Sequence, residues 1–334
     1  MTMQPFALIR PQTLLSARER VLEQPQTRVL RAGGVDLLDR MKEGLDAPAE
    51  LVELRSITEP GLRQLAVDPD GRTQLGALVT LAELAQANAS VDLDAVLREA
   101  AASAATPGIR NLATLGGNLL QRPRCWYYRS ADLVCLKKGG QACLAVTGEN
   151  KYHAILGGGP SFIVHPSTLA AALLALDASV DIAADTPRSI AIADLFVGPK
   201  PDPTREHSLA PGEVLLRVTL PANTPARSSA YAVAKEKQSH DWPLAEAAVC
   251  MSLGTGVMKS VRVVLGHVAP IPWRSREAEA VLEDQKPSPE IFLKAALAAL
   301  APARPLRHNA YKIPLAQGLL REALHRATRI PLPE

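Results

Sequence analysis

The chain has 334 residues, long enough for two domains with cores of their own, so no cofactor is needed to drive its folding. Its 47% hydrophobic and 21% charged residues are ordinary for a globular protein, and a net charge of +3 with evenly mixed signs gives no basis for a nucleic-acid or membrane-surface partner. No stretch approaches the ~18 unbroken apolar residues of a spanning helix, and MTMQPFALIRPQ lacks the basic head and apolar run of a secretory signal. A cytoplasmic protein is expected, or one exported only with a signal-bearing partner.

Leu14, Leu15, Ala17, Val21 and Leu22 fall at helical spacing, followed by a short strand around Val29 and Leu30. Arg31-Ala32-Gly33-Gly34-Val35-Asp36 then opens a second helical run. A strand that delivers a Gly-Gly turn to a helix start leaves bare backbone N–H groups where an anion can sit, although most such turns are only turns. Leu51 to Leu54 reads as a strand, and Leu62 to Val67 as an alternating strand that reverses at Asp68-Pro69-Asp70-Gly71. Thr80 to Glu83 is a capping box that starts a helix. Hairpins mixed with helices, and no GxGxxG turn, argue against a standard dinucleotide-binding fold.

The stretch from Thr106 to Cys143 is the most distinctive. It opens on small residues and a Gly116-Gly117-Asn118 turn suited to close backbone contact with a phosphate-bearing ligand. It ends with three of the four cysteines within nineteen positions, Cys125 to Cys143, a crowding that reads as metal binding or redox chemistry rather than a disulfide scaffold. A structural zinc site is one metal reading, but zinc usually takes closely paired cysteines. Beyond it, Leu169 to Leu176 is strongly helical, and Val180 to Ala183 and Glu213 to Leu220 read as strands. The segment PANTPARSS, from Pro221 to Ser229, is the best domain boundary. A strand at Tyr231 to Lys237, a mostly apolar run of small residues at Pro243 to Leu253 and an alternating strand at Ser260 to Val268 follow, then helices at Glu277 to Leu282, Ile291 to Leu300 and Leu315 to Ala327. Cys250, in LAEAAVCMSL, is read as a buried core thiol, His165 and His267 as core or interface residues, and Trp126, Tyr127 and Tyr128 as packing around the cysteine loop.

The motifs RAGGVDLL, TPGIRNLATLGGNL, DLFVG, LAPGEVLLRVTLP, LGHVAPIPWRSREAE and NAYKIPL, in that order, resemble the flavin-carrying medium subunit of the molybdenum hydroxylases. That family includes xanthine dehydrogenases, carbon monoxide dehydrogenase, 4-hydroxybenzoyl-CoA reductase and bacterial aldehyde oxidoreductases. The resemblance implies an α+β fold: a two-lobed FAD-binding domain of the vanillyl-alcohol oxidase type over 1–222, with a cysteine-containing insertion at about 119–160, and a small α+β C-terminal domain over 228–330. It implies that Val29, Leu30, Arg31, Ala32, Gly33, Gly34, Val35 and Asp36 hold the FAD pyrophosphate. It further implies FAD contacts from Thr106, Gly108, Asn111, Thr114, Gly117, Asn118, Thr168 and Lys237, with Lys235 nearby.

The insertion resembles that of family members that hold a 4Fe-4S cluster in this subunit. Cys125, Cys135 and Cys143, with nine and seven residues between them, fall where three ligands are expected, and Arg124, Arg129, Lys137 and Lys138 are expected to favour their thiolate forms. Ser161 stands where the fourth cysteine would be, which leaves open an alkoxide ligand, a water, a three-iron form or no cluster. Thr168 replaces an aspartate and Val35 a threonine of relatives. The implied function is that of an electron-transfer subunit, with no catalytic residue of its own. It would pass electrons from a small partner bearing two-iron clusters, fed by a large partner bearing the molybdenum cofactor, through FAD to an acceptor. A self-contained flavin oxidoreductase and a structural subunit with a decayed flavin site are the alternatives.

Overall fold

The structure, a computed structural model, describes residues 3–87, 91, 93–237, 241–254 and 256–332. The first lobe contains β1 (Ala7–Ile9), α1 (Leu14–Glu23), β2 (Arg28–Arg31), α2 (Val35–Lys42) and β3 (Glu50–Glu53). Its three strands pair in parallel in the order β1-β3-β2, with Arg31 in register with Glu53. Thr13 caps α1 by accepting from Ser16 N at 3.1 Å, and Leu14, Ala17 and Val21 bury the inner face of that helix.

The second lobe follows with β4 (Leu65–Val67), β5 (Thr73–Gly76), α3 (Leu81–Ala85), α4 (Ala95–Ser103), α5 (Pro107–Arg110), α6 (Leu115–Leu119), α7 (Trp126–Arg129), α8 (Thr168–Ala175), β6 (Ser179–Ala183), β7 (Arg188–Ala191) and β8 (Val214–Leu220). Its five strands pair antiparallel in the order β4-β5-β8-β6-β7. The alternating run expected from Leu62 is shorter than its pattern. Pro60–Leu62 form a 3-10 turn, which Pro60 favours by its fixed φ and missing N–H, and pairing begins only at Leu65. The capping box is formed as expected, with Thr80 Oγ1 accepting from Glu83 N and Glu83 accepting from Thr80 N.

The last unit comprises β9 (Arg227–Lys235), β10 (Pro243–Ser252), β11 (Lys259–Gly266), β12 (Trp273–Arg274), α9 (Arg276–Leu282), α10 (Pro289–Leu300) and α11 (Lys312–Thr328). The antiparallel sheet runs β12-β11-β10-β9. Period-two alternation sends Ala247, Val249 and Met251 of β10 into the core with α9, α10 and α11, while Ala248 and Cys250 join the core of the second lobe. Cys250 is a core thiol as expected, and burial pushes its pKa up to about 12.

The α+β architecture is therefore as the sequence led us to expect. Its centre is α8, every residue of which is buried. The helix packs on α4 and α6 of its own lobe and on β10 and β11 of the C-terminal sheet, so one element belongs to both units. Leu173→Ala should therefore lower the unfolding free energy by about 3 kcal/mol, read from the urea midpoint; an unmoved midpoint would contradict this central role.

Candidate functional site

A cavity of about 980 Å³ opens between the two lobes and the C-terminal unit, at the upper end of the range for small-molecule sites. All eight residues from Val29 to Asp36 line it. β2 runs straight into the Gly33-Gly34 turn, and Gly34 adopts φ +75 at the N-cap of α2, a left-handed conformation that L side chains resist. At Gly33 the constraint is space: an added Cβ would lie 2.1 Å from the Leu112 carbonyl oxygen, so the two glycine-bearing loops meet backbone to backbone. The N-terminus of α2 faces the cavity with amides that no helical carbonyl can satisfy.

The opposing wall comes from α5 and α6. Thr106, Thr114, Gly117 and Asn118 line the cavity. Thr106 caps α5 by accepting from Ile109 N at 3.1 Å, and Thr114 caps α6 by accepting from Gly117 N at 3.1 Å. Asn118 Oδ1 accepts from Ser167 Oγ at 2.7 Å, which ties this wall to the start of α8, where Thr168 also reaches the cavity. Gly108 and Asn111 are exposed and stand outside the lining, as does Lys237; Lys235 takes the inward position and bonds the Ser103 carbonyl.

Charge in the lining is uneven, with seven lysines and arginines against four carboxylates. Arg28, Arg40, Arg122, Arg124 and Arg205, with His207 and Trp242, were not singled out in the sequence as cavity residues. They come from segments far apart in the chain, and no local motif marks them. Arg124 stacks over Trp242 with its guanidinium carbon 4.6 Å from the ring centroid. Asp36 turns its carboxylate away from a ligand role, toward Arg40, Arg124 and Arg129, and accepts from Arg122 N at 3.0 Å. Burial alone would raise its pKa, but Arg124, Arg40 and the other neighbours together hold it below the usual carboxylate value.

The cysteine segment forms a second, smaller site. Cys125, Cys135, Cys143 and the buried Ser161 line one cavity of about 10 Å³, room for about one water, and all four cysteines are free. Among the described residues, no three His, Cys, Asp or Glu side chains converge on a point that could hold a single metal ion. One expectation is corrected here: the basic neighbours do not favour the Cys125 thiolate. Arg124 and Arg129 are engaged by Asp36, Lys137 by Glu206 and Lys138 by the Ser130 carbonyl, while burial pushes the Cys125 thiol up to about 11. The His153 side chain contacts this site, with Nε2 3.1 Å from Cys125 Sγ.

Two lobes around a cation-rich cleft, with glycine-bearing loops that meet at its wall, define a protein that holds a large phosphate-bearing cofactor. The chain matches the family model described as the FAD binding domain in molybdopterin dehydrogenase over residues 4–223, and that of the CO dehydrogenase flavoprotein C-terminal domain over 229–327. It is 36% identical to the aldehyde oxidoreductase FAD-binding subunit PaoB of Escherichia coli K12, over 89% of this chain and 90% of that one. It is 25% identical to the carbon monoxide dehydrogenase medium chain of Afipia carboxidovorans, over 96% of both. Among solved structures, carbon monoxide dehydrogenase from Hydrogenophaga pseudoflava superposes with a TM-score of 0.75 at 25% identity, covering 98% of each chain. The chain belongs to the FAD-binding subunits of the molybdenum hydroxylase family.

Two outcomes follow. Gly33→Ala forces its methyl into the Leu112 carbonyl, so the purified variant should hold FAD at least about tenfold more weakly by flavin absorbance, with helix content by circular dichroism kept. Stability should also fall in acid. Burial, with His267, His207 and Lys137, lowers His165 to about 3, and burial, with Arg122, Arg205 and Lys137, lowers His207 to about 4. The unfolded chain takes up these protons near pH 6.5, whereas the folded chain resists them until pH 4 and below. The melting temperature should therefore drop steadily as pH falls through that window, and a flat profile would contradict the assignment.

Proposed function

We propose that this chain is the FAD-carrying electron-transfer subunit of a heteromeric molybdenum hydroxylase. It would take electrons from a small partner with two-iron clusters, downstream of a large partner with the molybdenum cofactor, and deliver them to an external acceptor. Residues 1–222 form the FAD-binding domain in this reading, 119–160 its insertion and 228–330 the closing domain. The observation that carries the reading is the meeting of the two glycine loops at Gly33 and Leu112 on the wall of the 980 Å³ cavity.

When bound, FAD would supply the exchange between one-electron donors and a one- or two-electron acceptor. This chain's residues hold and shield it. Backbone amides of Gly33, Gly34 and Val35 would face the pyrophosphate, Thr106, Thr114, Gly117 and Asn118 would form the opposing wall, and the arginines of the lining would offset the phosphate charge. Thr168 offers a hydroxyl donor in the wall, and Lys235 replaces Lys237 as the inward cation.

We further assign Cys125, Cys135 and Cys143 to three corners of a 4Fe-4S cluster, with the Ser161 hydroxyl at the fourth. The donor set fits such a group better than a lone ion, because each iron takes one thiolate and the thiolates stand around the cluster rather than converging. The 10 Å³ space is smaller than a cluster, so the loops bearing Cys135 and Cys143 must part to admit iron.

The full chain purified without partners should show the twin bands of bound flavin and oxidise neither aldehyde nor purine. Substrate oxidation by this chain alone would overturn the reading. Ser161→Cys should slow the loss of iron to a chelator relative to the wild-type chain, and equal rates would show that Ser161 is not at the fourth corner.

A further inference from the structure

His153 is 3% exposed and lies in the cysteine insertion without being one of the assigned ligands. Its Nε2 is 3.1 Å from Cys125 Sγ, while Nδ1 is buried with no hydrogen-bond partner among the described residues. The ring is wedged edge-on against Trp126 at a centroid distance of 5.5 Å and tilted against Tyr127 at 6.0 Å, so it has little freedom to turn. Its backbone is fixed from the other unit of the molecule. Asn309 Nδ2 donates to the His153 carbonyl at 3.1 Å and to that of Ala154 at 3.3 Å, and Lys312 Nζ donates to the Tyr152 carbonyl at 3.0 Å. A buried lysine and a buried asparagine, both from the C-terminal unit, thus hold this one imidazole against one sulfur.

The donor chemistry then fixes the direction of the contact. In the thiol form either partner can donate. Iron ligation removes the thiol proton, leaving a sulfur with lone pairs only, so the ring must carry its proton on Nε2 or face the sulfur lone pair to lone pair. The unpartnered Nδ1 is the nitrogen free to be bare. We propose that His153 is a positioning residue for the cluster: its Nε2–H donates to the Cys125 thiolate, holds that sulfur toward its iron and stabilises the more electron-rich, reduced state. Hydrogen bonds to cluster sulfurs are among the levers by which a protein sets reduction potential, and a donor favours the more negative state.

The inference rests on the cluster assignment above, and its test separates the two. The full-length wild-type chain, His153→Leu and His153→Gln are assayed anaerobically for iron and for cluster reduction at fixed applied potentials by electron paramagnetic resonance. His153→Leu should keep the wild-type iron content, and its reduced-to-oxidised ratio should fall about tenfold, which is about 59 mV for a one-electron couple. His153→Gln, which retains an N–H donor, should recover part of the shift. Equal iron with an unmoved potential in both variants overturns the proposal and leaves the cluster reading standing. Loss of one iron, or a three-iron signal, in both variants makes His153 a ligand and also overturns it. A wild-type chain without iron overturns the cluster reading itself and the inference with it.

Discussion

The missing side chain at Gly33 is the constraint on which the site depends. Because nothing projects from that residue, the backbone of the first lobe can approach the Leu112 carbonyl of the second, and the two loops close one cavity from opposite sides. Everything on either side is arranged to hold that contact in place. β2 and β3 aim the first loop, and Arg31 is locked to Glu53 directly below it. The second loop is pinned by hydrogen bonds from Leu81 N to the Ala113 carbonyl and from Gly116 N to the Ala77 carbonyl. A close approach of this kind tolerates little displacement, because the interior around it is packed to near-crystalline density.

The same region joins the cavity to the cysteine insertion. Asp36 belongs to the first turn of α2, immediately after the glycines, yet its carboxylate is the anchor for Arg124 and Arg129, which flank Cys125. A second bridge runs from Arg122 and Lys137 to Glu206, itself buried at 4% exposure. Neither bridge is a strong argument for stability, since buried ion pairs repay their desolvation only in part. Their consequence is geometric: Asp36 and Glu206 tie the cysteine insertion to segments that line or adjoin the cavity.

What could be read from the sequence follows from the range of each interaction. The Gly33-Gly34 turn, the caps at Thr80 and the apolar run of α8 are local signals, decided within four or five residues, and all appear where the pattern puts them. The strand from Leu62 was over-read because alternation ignores the backbone demands of Pro60. The arginine-rich lining, the inward Lys235 and the grip of Asn309 and Lys312 on residues 152–154 depend on chain segments more than a hundred residues apart, and no spacing rule reports them. The basic residues beside the cysteines show the opposite error. Proximity in sequence suggested electrostatic help for the thiolates, but each cation is already engaged by an oxygen elsewhere, and the net effect at Cys125 is desolvation.

The three departures that the family resemblance implies are alike in kind. Val35, Thr168 and Ser161 each remove or weaken a side-chain donor or ligand, and none alters the backbone. At the mouth of α2 the anion-facing groups are amides, which Val35 presents as well as threonine does. Thr168 is buried at the first position of α8, next to the Ser167 hydroxyl that caps the helix, so a neutral hydroxyl there leaves no charge uncompensated where an aspartate would need a donor. Any Cβ at Gly33 would close the approach outright. On the proposed reading, the flavin cradle is held by backbone with reduced side-chain assistance. On the proposed reading, only at Ser161 does the change touch a ligand, and there His153, set against Cys125 by the C-terminal unit, brings its Nε2 to 3.1 Å from that cysteine's sulfur.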